Sequence, residues 1–157
     1  MGIPTPFKGG MKANTDMVVS HITNYMPKGY ITSQTYVHFM NYHFAWCPKY
    51  RRPVLLGRIK ERLEELIKEK AEKLGCKIIT LSIGEDHVHL FIQANPKLSP
   101  NTIIGQVKGY TSRLLREEFP ELRSRLPTLW TRSYFVSTHG HVSDEMIQKY
   151  IEEQKGI

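Results

Sequence analysis

One stretch decides the fold of this chain: Asp86-His87-Val88-His89-Leu90-Phe91-Ile92-Gln93. Its alternating pattern predicts a β-strand, in which successive side chains point to opposite faces of a sheet. Val88, Leu90 and Ile92 then face a core, while His87 and His89 share the other face, about 6 to 7 Å apart. Two neutral imidazoles at that spacing can bind one divalent cation. They can also form a half-exposed, hydrogen-bonded pair without a metal.

The patterns on both sides of this strand predict the order β-α-β-β-α-β. Aromatic and β-branched residues predict a first strand over 36–47, and a helical apolar spacing predicts a helix over 58–74, ended by Gly75. A strand over 76–83 turns at Gly84 into the histidine strand. Ser99 and Pro100 predict the start of a second helix, which ends near Phe119. A polar, basic loop over 120–127 and a fourth strand over 130–138 follow. We therefore predict an α+β, ferredoxin-like fold, with two helices on one face of an antiparallel sheet.

The two ends of the chain differ from this central pattern. Residues 1–34 are rich in Gly, Pro, Thr, Asn and Lys without a sustained period, so we predict a mobile N-terminal extension before one domain over 35–157. Ser143 predicts the start of an extra C-terminal helix. Tyr150 and Gln154 lie four residues apart and so share one ridge of that helix. A tyrosine at such a position usually packs with its hydroxyl in water, although its phenolate can also attack a phosphodiester.

The charge of the chain favours a polyanionic partner. The 157 residues carry a formal charge of +7, which favours salt-sensitive binding to nucleic acid. Lys49, Tyr50, Arg51 and Arg52 follow the first strand, a combination that suits phosphates and a stacked base, although a plain solvated loop also fits. Further cations, Lys108 and Arg113, lie off the apolar stripe of the second helix.

The cysteines and the lengths of the apolar runs indicate in which part of the cell the protein works. Cys47 and Cys76 stand alone without a Cys-x-x-Cys spacing, which favours a reducing cytoplasm. No apolar run approaches the roughly 18 residues of a membrane span, so we expect no membrane association.

Together these residues resemble a known family, the single-tyrosine HUH transposases of the IS200/IS605 insertion sequences. The similarity runs from about Tyr36 to the C-terminus. It rests on four segments in order, and their combination is far more specific than any one of them: 46–53 (WCPKYRRP), 87–91 (HVHLF), 130–138 (WTRSYFVST) and 150–154 (YIEEQ).

The resemblance implies a mechanism and a partner. His87, His89 and Gln154 would bind Mg2+ or Mn2+, and Tyr150 would attack single-stranded DNA to leave a 5′-phosphotyrosine and a free 3′-OH. The DNA would be the hairpin ends of an insertion sequence. The protein would act as a homodimer, with the tyrosine of one subunit serving the histidines of the other.

Three other interpretations share some of these features. A domesticated HUH endonuclease that nicks repeat hairpins would have the same catalytic residues. A non-catalytic, single-stranded nucleic-acid-binding module would share the fold, but the third strand carries histidines where such modules carry stacking aromatics. The histidine-triad nucleotide hydrolases also alternate histidines on a strand, but Phe91 occupies the position of their third histidine.

Overall fold

The computed structural model of the chain describes residues 30–33 and 36–139, together with Lys149. The chain divides into two units after Phe39. In the first unit, strand β1 (Ile31–Thr32) pairs antiparallel with β2 (Val37–His38), and the rings of Tyr30 and Phe39 lie 5.1 Å apart. Most of the predicted extension over 1–34 lies outside the described residues.

The second unit contains a four-stranded antiparallel sheet and its helices. The strands are β3 (Asn41–Trp46), β4 (Lys77–Ile83), β5 (Val88–Gln93) and β6 (Phe135–His139). Their order across the sheet is β4-β5-β3-β6, and every neighbouring pair is antiparallel. Helix α1 (Gly57–Lys73) connects β3 to β4, and helix α2 (Pro100–Glu118) follows β5. This order is the predicted ferredoxin-like β-α-β-β-α-β arrangement, which the structure confirms.

The core lies between one face of the sheet and the two long helices. Alternate residues of β3 and β5 face this core, and each helix contributes one apolar stripe. Burial of one such side chain stabilises the fold by about 1.5 to 3 kcal/mol. The buried residues include Tyr42, Phe44, Trp46, Val88, Leu90 and Ile92 from the sheet, and Leu63, Leu66, Ile67, Ile103, Ile104, Val107 and Leu115 from the helices.

The predicted helix ends are confirmed by their hydrogen bonds. At the start of α2, the amide of Thr102 donates to Ser99 Oγ at 3.1 Å, and Pro100 occupies the first turn, where its missing N–H costs nothing. After α1, Gly75 has a φ of 69°, a left-handed conformation that glycine adopts without a steric penalty. The amide of Cys76 donates to the Ala71 carbonyl at 3.0 Å, which completes the helix terminus.

Three local predictions are wrong. The predicted loop over 120–127 contains a short helix, α3 (Pro120–Arg125), because Leu122 is buried against the core. The fourth strand begins at Phe135 rather than residue 130, because the Trp130 indole turns inward and donates to Thr111 Oγ1 at 3.0 Å. This strand runs on to His139, into the predicted linker. The continuous first strand over 36–47 is instead the separate strands β2 and β3.

None of the described helices is both long and apolar enough to span a lipid bilayer.

Candidate active site

His87 and His89 lie together at the start of β5. His87 comes one residue before the strand, so its ring is set by the turn, whereas His89 projects from β5 on the face opposite the core. Their ring centroids are 5.3 Å apart and the ring planes are inclined by 74°. Both histidines line an open cleft of about 450 Å³. The predicted juxtaposition of two imidazoles is therefore present in the folded chain.

The cleft lies where β3 ends and where the chain approaches β6. Ala45 stands opposite His89 on one side and Phe135 on the other in the strand register, so its small side chain leaves space beside the imidazole. The second wall is the segment before β6, which is held to the end of β3 by backbone hydrogen bonds at 2.8 and 3.1 Å. The lining residues, besides the two histidines, are Ala45, Trp46, Cys47, Arg51, Thr131, Ser133, Tyr134 and Phe135.

Asp86 positions the ring of His87. Nδ1 of His87 lies 2.7 Å from Asp86 Oδ1, and Arg51 Nε donates to the second carboxylate oxygen at 3.1 Å. The hydrogen bond from His87, aided by the charge of Arg51, holds the pKa of Asp86 below its usual value, against partial desolvation. Asp86 is therefore a carboxylate at neutral pH and accepts a hydrogen bond from His87 Nδ1–H, which leaves the lone pair of the ring on Nε2.

Gly84 provides the space for the same ring. A Cβ atom at this position would lie 2.4 Å from His87 Cε1 and 2.8 Å from its Nε2. Its φ is not in the left-handed region, so the need for glycine here is close packing rather than backbone conformation. The turn is also fixed by the amide of Gly84, which donates to the His87 carbonyl at 2.9 Å.

His43 contacts His89 from the adjacent strand. His43 Nε2 lies 2.9 Å from His89 Nδ1, and both side chains are buried. The His43 ring is parallel to Phe91, its cross-strand neighbour, with the centroids 4.1 Å apart. Burial, with a smaller contribution from nearby His87, lowers the pKa of His89, so His89 is neutral at pH 7.

The donor set fits a divalent cation. In each histidine Nδ1 contacts a neighbouring side chain, which leaves Nε2 available to a ligand. Imidazole nitrogens suit borderline ions, and Mn2+ accepts them more readily than Mg2+ does. Cys47 is a poor ligand, because burial raises the pKa of its thiol. Within the described part of the chain, no three His, Cys, Asp or Glu side chains form a cluster that could hold a metal.

The predicted DNA-binding segment lies at the edge of the cleft. Lys49–Arg51 form a short 3-10 helix in which Tyr50 and Arg51 have φ values of 58° and 51°. A left-handed conformation costs a non-glycine residue roughly 1 to 2 kcal/mol, so the neighbouring contacts must stabilise it. The Tyr50 side chain is 65% exposed, and Lys49 Nζ lies 5.4 Å from its ring centroid. Arg51 of this strained turn lines the cleft together with the histidines, and Lys49 and Tyr50 precede it in the same turn.

The other predicted DNA-binding residues are placed differently. Arg52 is exposed directly after this turn. Lys108 Nζ donates to the carbonyls of Thr131, Arg132 and Ser133 at 2.7, 3.4 and 3.1 Å, so its contacts support the wall of the cleft. Arg113 lies in the helical layer, on the other side of the sheet from His43 and His89, and pairs with Glu117 at 3.9 Å. The structure does not bring Arg113 to the cleft.

Two predicted site residues, Tyr150 and Gln154, lie outside the described residues, as does the predicted helix that carries them, apart from Lys149. Their roles stay predictions.

Sequence reasoning missed three residues that support the histidines. His43 lies between the core residues Tyr42 and Phe44, and this alternation already placed it on the face that His89 shares. Asp86 is the sequence neighbour of His87, so the sequence itself showed a carboxylate that could support this ring. The close packing of Gly84 against an imidazole left no signal beyond its place in a turn.

Comparison with known proteins assigns the family. The family model for IS200-like transposases matches residues 36–154. The ISDra2 transposase TnpA of Deinococcus radiodurans is 35% identical over 121 residues, which cover 76% of this chain and 86% of that protein. The transposase for insertion sequence element IS200 of Salmonella typhimurium is 30% identical over 115 residues, 72% of this chain and 75% of that protein. This chain belongs to the IS200-like transposase family.

One solved structure agrees with this assignment, and a second shares the fold. A crystal structure of a Deinococcus radiodurans chain assigned as a transposase is 30% identical and superposes with a TM-score of 0.65, covering 79% of this chain and 97% of that one. A REP-associated tyrosine transposase bound to a REP hairpin superposes with a TM-score of 0.53 over 78% of this chain and 66% of that one. At 13% identity the second likeness shows the shared fold alone.

Proposed function

We propose that this chain is a DNA transposase that cleaves and rejoins single-stranded DNA at the ends of an insertion sequence, through a 5′-phosphotyrosine and with Mg2+ or Mn2+. One observation carries the proposal: the rings of His87 and His89 lie 5.3 Å apart in an open cleft, and the Nδ1 atom of each contacts a supporting side chain. Such an arrangement suits metal ligands rather than a surface histidine pair.

His87 and His89 would hold the cation through Nε2, and Gln154 would add its amide oxygen. A cation bound there would act as a Lewis acid that polarises the scissile phosphate and stabilises its developing charge. These three side chains would supply only part of the ligand set, and phosphate oxygens and water would complete it. The neutral state of His89 and the carboxylate of Asp86 both favour binding at neutral pH.

Tyr150 would supply the nucleophile. Its phenolic oxygen, having lost its proton to solvent, would attack the phosphorus and form a new P–O bond. The bond from phosphorus to the 3′ oxygen would break, and that oxygen would take up a proton to leave a free 3′-OH. Attack of another 3′-OH on the phosphotyrosine reverses these changes and rejoins the strand. The phosphotyrosine retains the energy of the broken bond, so rejoining needs no nucleotide cofactor.

The turn after β3 would bind the DNA next to the cleft. Lys49 and Arg52 would contact phosphates, and the exposed ring of Tyr50 would stack on an unpaired base. Arg51 would have two roles. Its guanidinium pairs with Asp86, and because it also lines the cleft it would contact the DNA. The expected substrate is a hairpin with a single-stranded flank, bound by a homodimer.

The test is incubation of the purified protein with single-stranded oligonucleotides that carry the hairpin ends, followed by a denaturing gel. We expect a covalent protein–DNA adduct in Mn2+ or Mg2+ and none after chelation. Tyr150→Phe, which removes only a hydroxyl, is the matched control and should form no adduct. Metal-dependent cleavage without any adduct would contradict the proposed phosphotyrosine.

A further inference from the structure

His43 is buried, although nothing in the proposed chemistry requires it. Its side chain is 4% exposed and lies on the sheet face opposite the helical core, between β5 and β6. Three aromatic rings surround it: Phe91 is stacked at 4.1 Å, His89 is stacked at 5.1 Å, and Phe135 meets it edge-on at 5.6 Å. A histidine in such a setting has few orientations open to it.

The contact between the two imidazoles constrains where the protons lie. His43 Nε2 and His89 Nδ1 are 2.9 Å apart, a hydrogen-bond distance between two ring nitrogens. Such a bond needs one nitrogen with a proton and one with a lone pair. If His89 Nδ1 is the donor, His89 Nε2 carries the lone pair, which is the form that can bind a cation from the cleft. The reverse arrangement would place a proton on Nε2 and block that atom.

We propose that His43 is a positioning residue that accepts a hydrogen bond from His89 Nδ1 and so keeps the lone pair of His89 on Nε2, directed to the cation site. This inference rests on the proposed function for the identity of that site. The two site histidines would then have equivalent supports, since Asp86 does for His87 what His43 does for His89.

Packing alone does not account for a histidine at this position. The stack on Phe91 and the edge contact with Phe135 need only a flat ring, which phenylalanine would also provide. What phenylalanine lacks is a nitrogen lone pair facing His89. Two substitutions therefore separate the roles: His43→Phe keeps the ring and removes the acceptor, whereas His43→Gln gives up the ring but offers an amide oxygen.

The first measurement is made on metal-free protein. Long-range proton–nitrogen spectra of the 15N-labelled chain identify which nitrogen of His89 is protonated. We expect Nδ1–H in the wild type and in His43→Gln, and a shift toward Nε2–H in His43→Phe. Protonation of Nε2 in the wild type would overturn the inference, whether or not the variants fold.

The second measurement is the affinity for Mn2+. It is determined from the electron paramagnetic resonance signal of the free ion. Loss of a group that supports a metal ligand typically weakens metal binding 10- to 100-fold, so we expect about that loss in His43→Phe and a smaller one in His43→Gln. A folded His43→Phe with wild-type affinity would overturn the inference and leave the proposed function intact. A wild type that bound no Mn2+ would instead contradict the proposed function, while the spectra still decided the proton position.

Discussion

His87 and His89 are held by different means, although they are two residues apart. Asp86 and Gly84 set the ring of His87 within a tight turn, and His43 contacts His89 from the neighbouring strand. The alternation of the histidine strand predicted the pairing of the two rings. It does not by itself give the contacts that Gly84 and His43 make with the two rings, because these contacts depend on the turn and on strand register.

Gly84→Ala should displace the ring of His87. The new methyl group would lie 2.4 Å from His87 Cε1, so the imidazole must move away. Because small misplacements of a catalytic group can cost about 100-fold in rate, we expect cleavage to fall by about that factor. Mn2+ affinity should fall with it, whereas the melting temperature should change little.

Gly109→Ala is the matched control for this substitution. A Cβ at Gly109, in α2, would meet no described atom within 4 Å. Because alanine is the better helix former, the control should be stabilised by about 0.5 to 1 kcal/mol and should cleave normally. Equal cleavage by the two variants would show that Gly84 does not position His87.

His87→Ala and His89→Ala should separate cleavage from binding. Each variant removes one predicted metal ligand, whereas the cations of the turn after β3, as proposed, would still supply the affinity for phosphates. We expect adduct formation to be lost and hairpin binding, measured by gel shift, to stay within a few-fold of wild type. Cleavage at the wild-type rate in Mg2+ by either variant would make the histidine pair structural.

The elements show where sequence patterns suffice and where they do not. Helices α1 and α2 and strands β4 and β5 follow from periodicity and end signals, such as Ser99 and Gly75. The region between α2 and β6 does not, because long-range contacts decide it. Leu122 is buried in a segment that looks polar, and Trp130 leaves the predicted strand to reach Thr111. Local propensity carries no information about a hydrogen-bond partner that lies 19 residues away in the sequence.

Lys108 links α2 to the wall of the cleft, and its loss should loosen that wall. Its ammonium donates to three carbonyls of the segment 131–133, and burial lowers its pKa. Lys108→Met would leave those carbonyls without this donor, so we expect a destabilisation of about 1 to 3 kcal/mol in urea unfolding.

The matched control for Lys108 is Lys60→Met, at an exposed position of α1, which should change stability by less than about 0.5 kcal/mol. If Lys108 instead acts mainly on DNA, as its sequence position suggested, Lys108→Met would weaken hairpin binding without lowering stability.

At the scale of the whole molecule, the shared site between two subunits stays a prediction. The predicted helix with Tyr150 is only about three turns long, too short to be stable alone in water, so it must dock on its own subunit or on a partner. The test mixes His89→Ala with Tyr150→Phe and exchanges their subunits. If the tyrosine acts in trans, each mixed dimer regains one complete site and cleavage returns. Mixed dimers that are confirmed by mass yet do not cleave would show that the tyrosine acts in cis.

The most direct test of the mechanism is to identify the residue that carries the DNA. Tyr134 lines the cleft, and the exposed Tyr50 directly precedes Arg51, which also lines it, so these two tyrosines are the competitors for the nucleophile. The adduct is digested with protease and nuclease, and the modified peptide is sequenced by mass spectrometry. The proposed mechanism predicts a nucleotide joined through its 5′ phosphate to Tyr150 and to no other residue. A nucleotide found on Tyr50 or Tyr134 would contradict it.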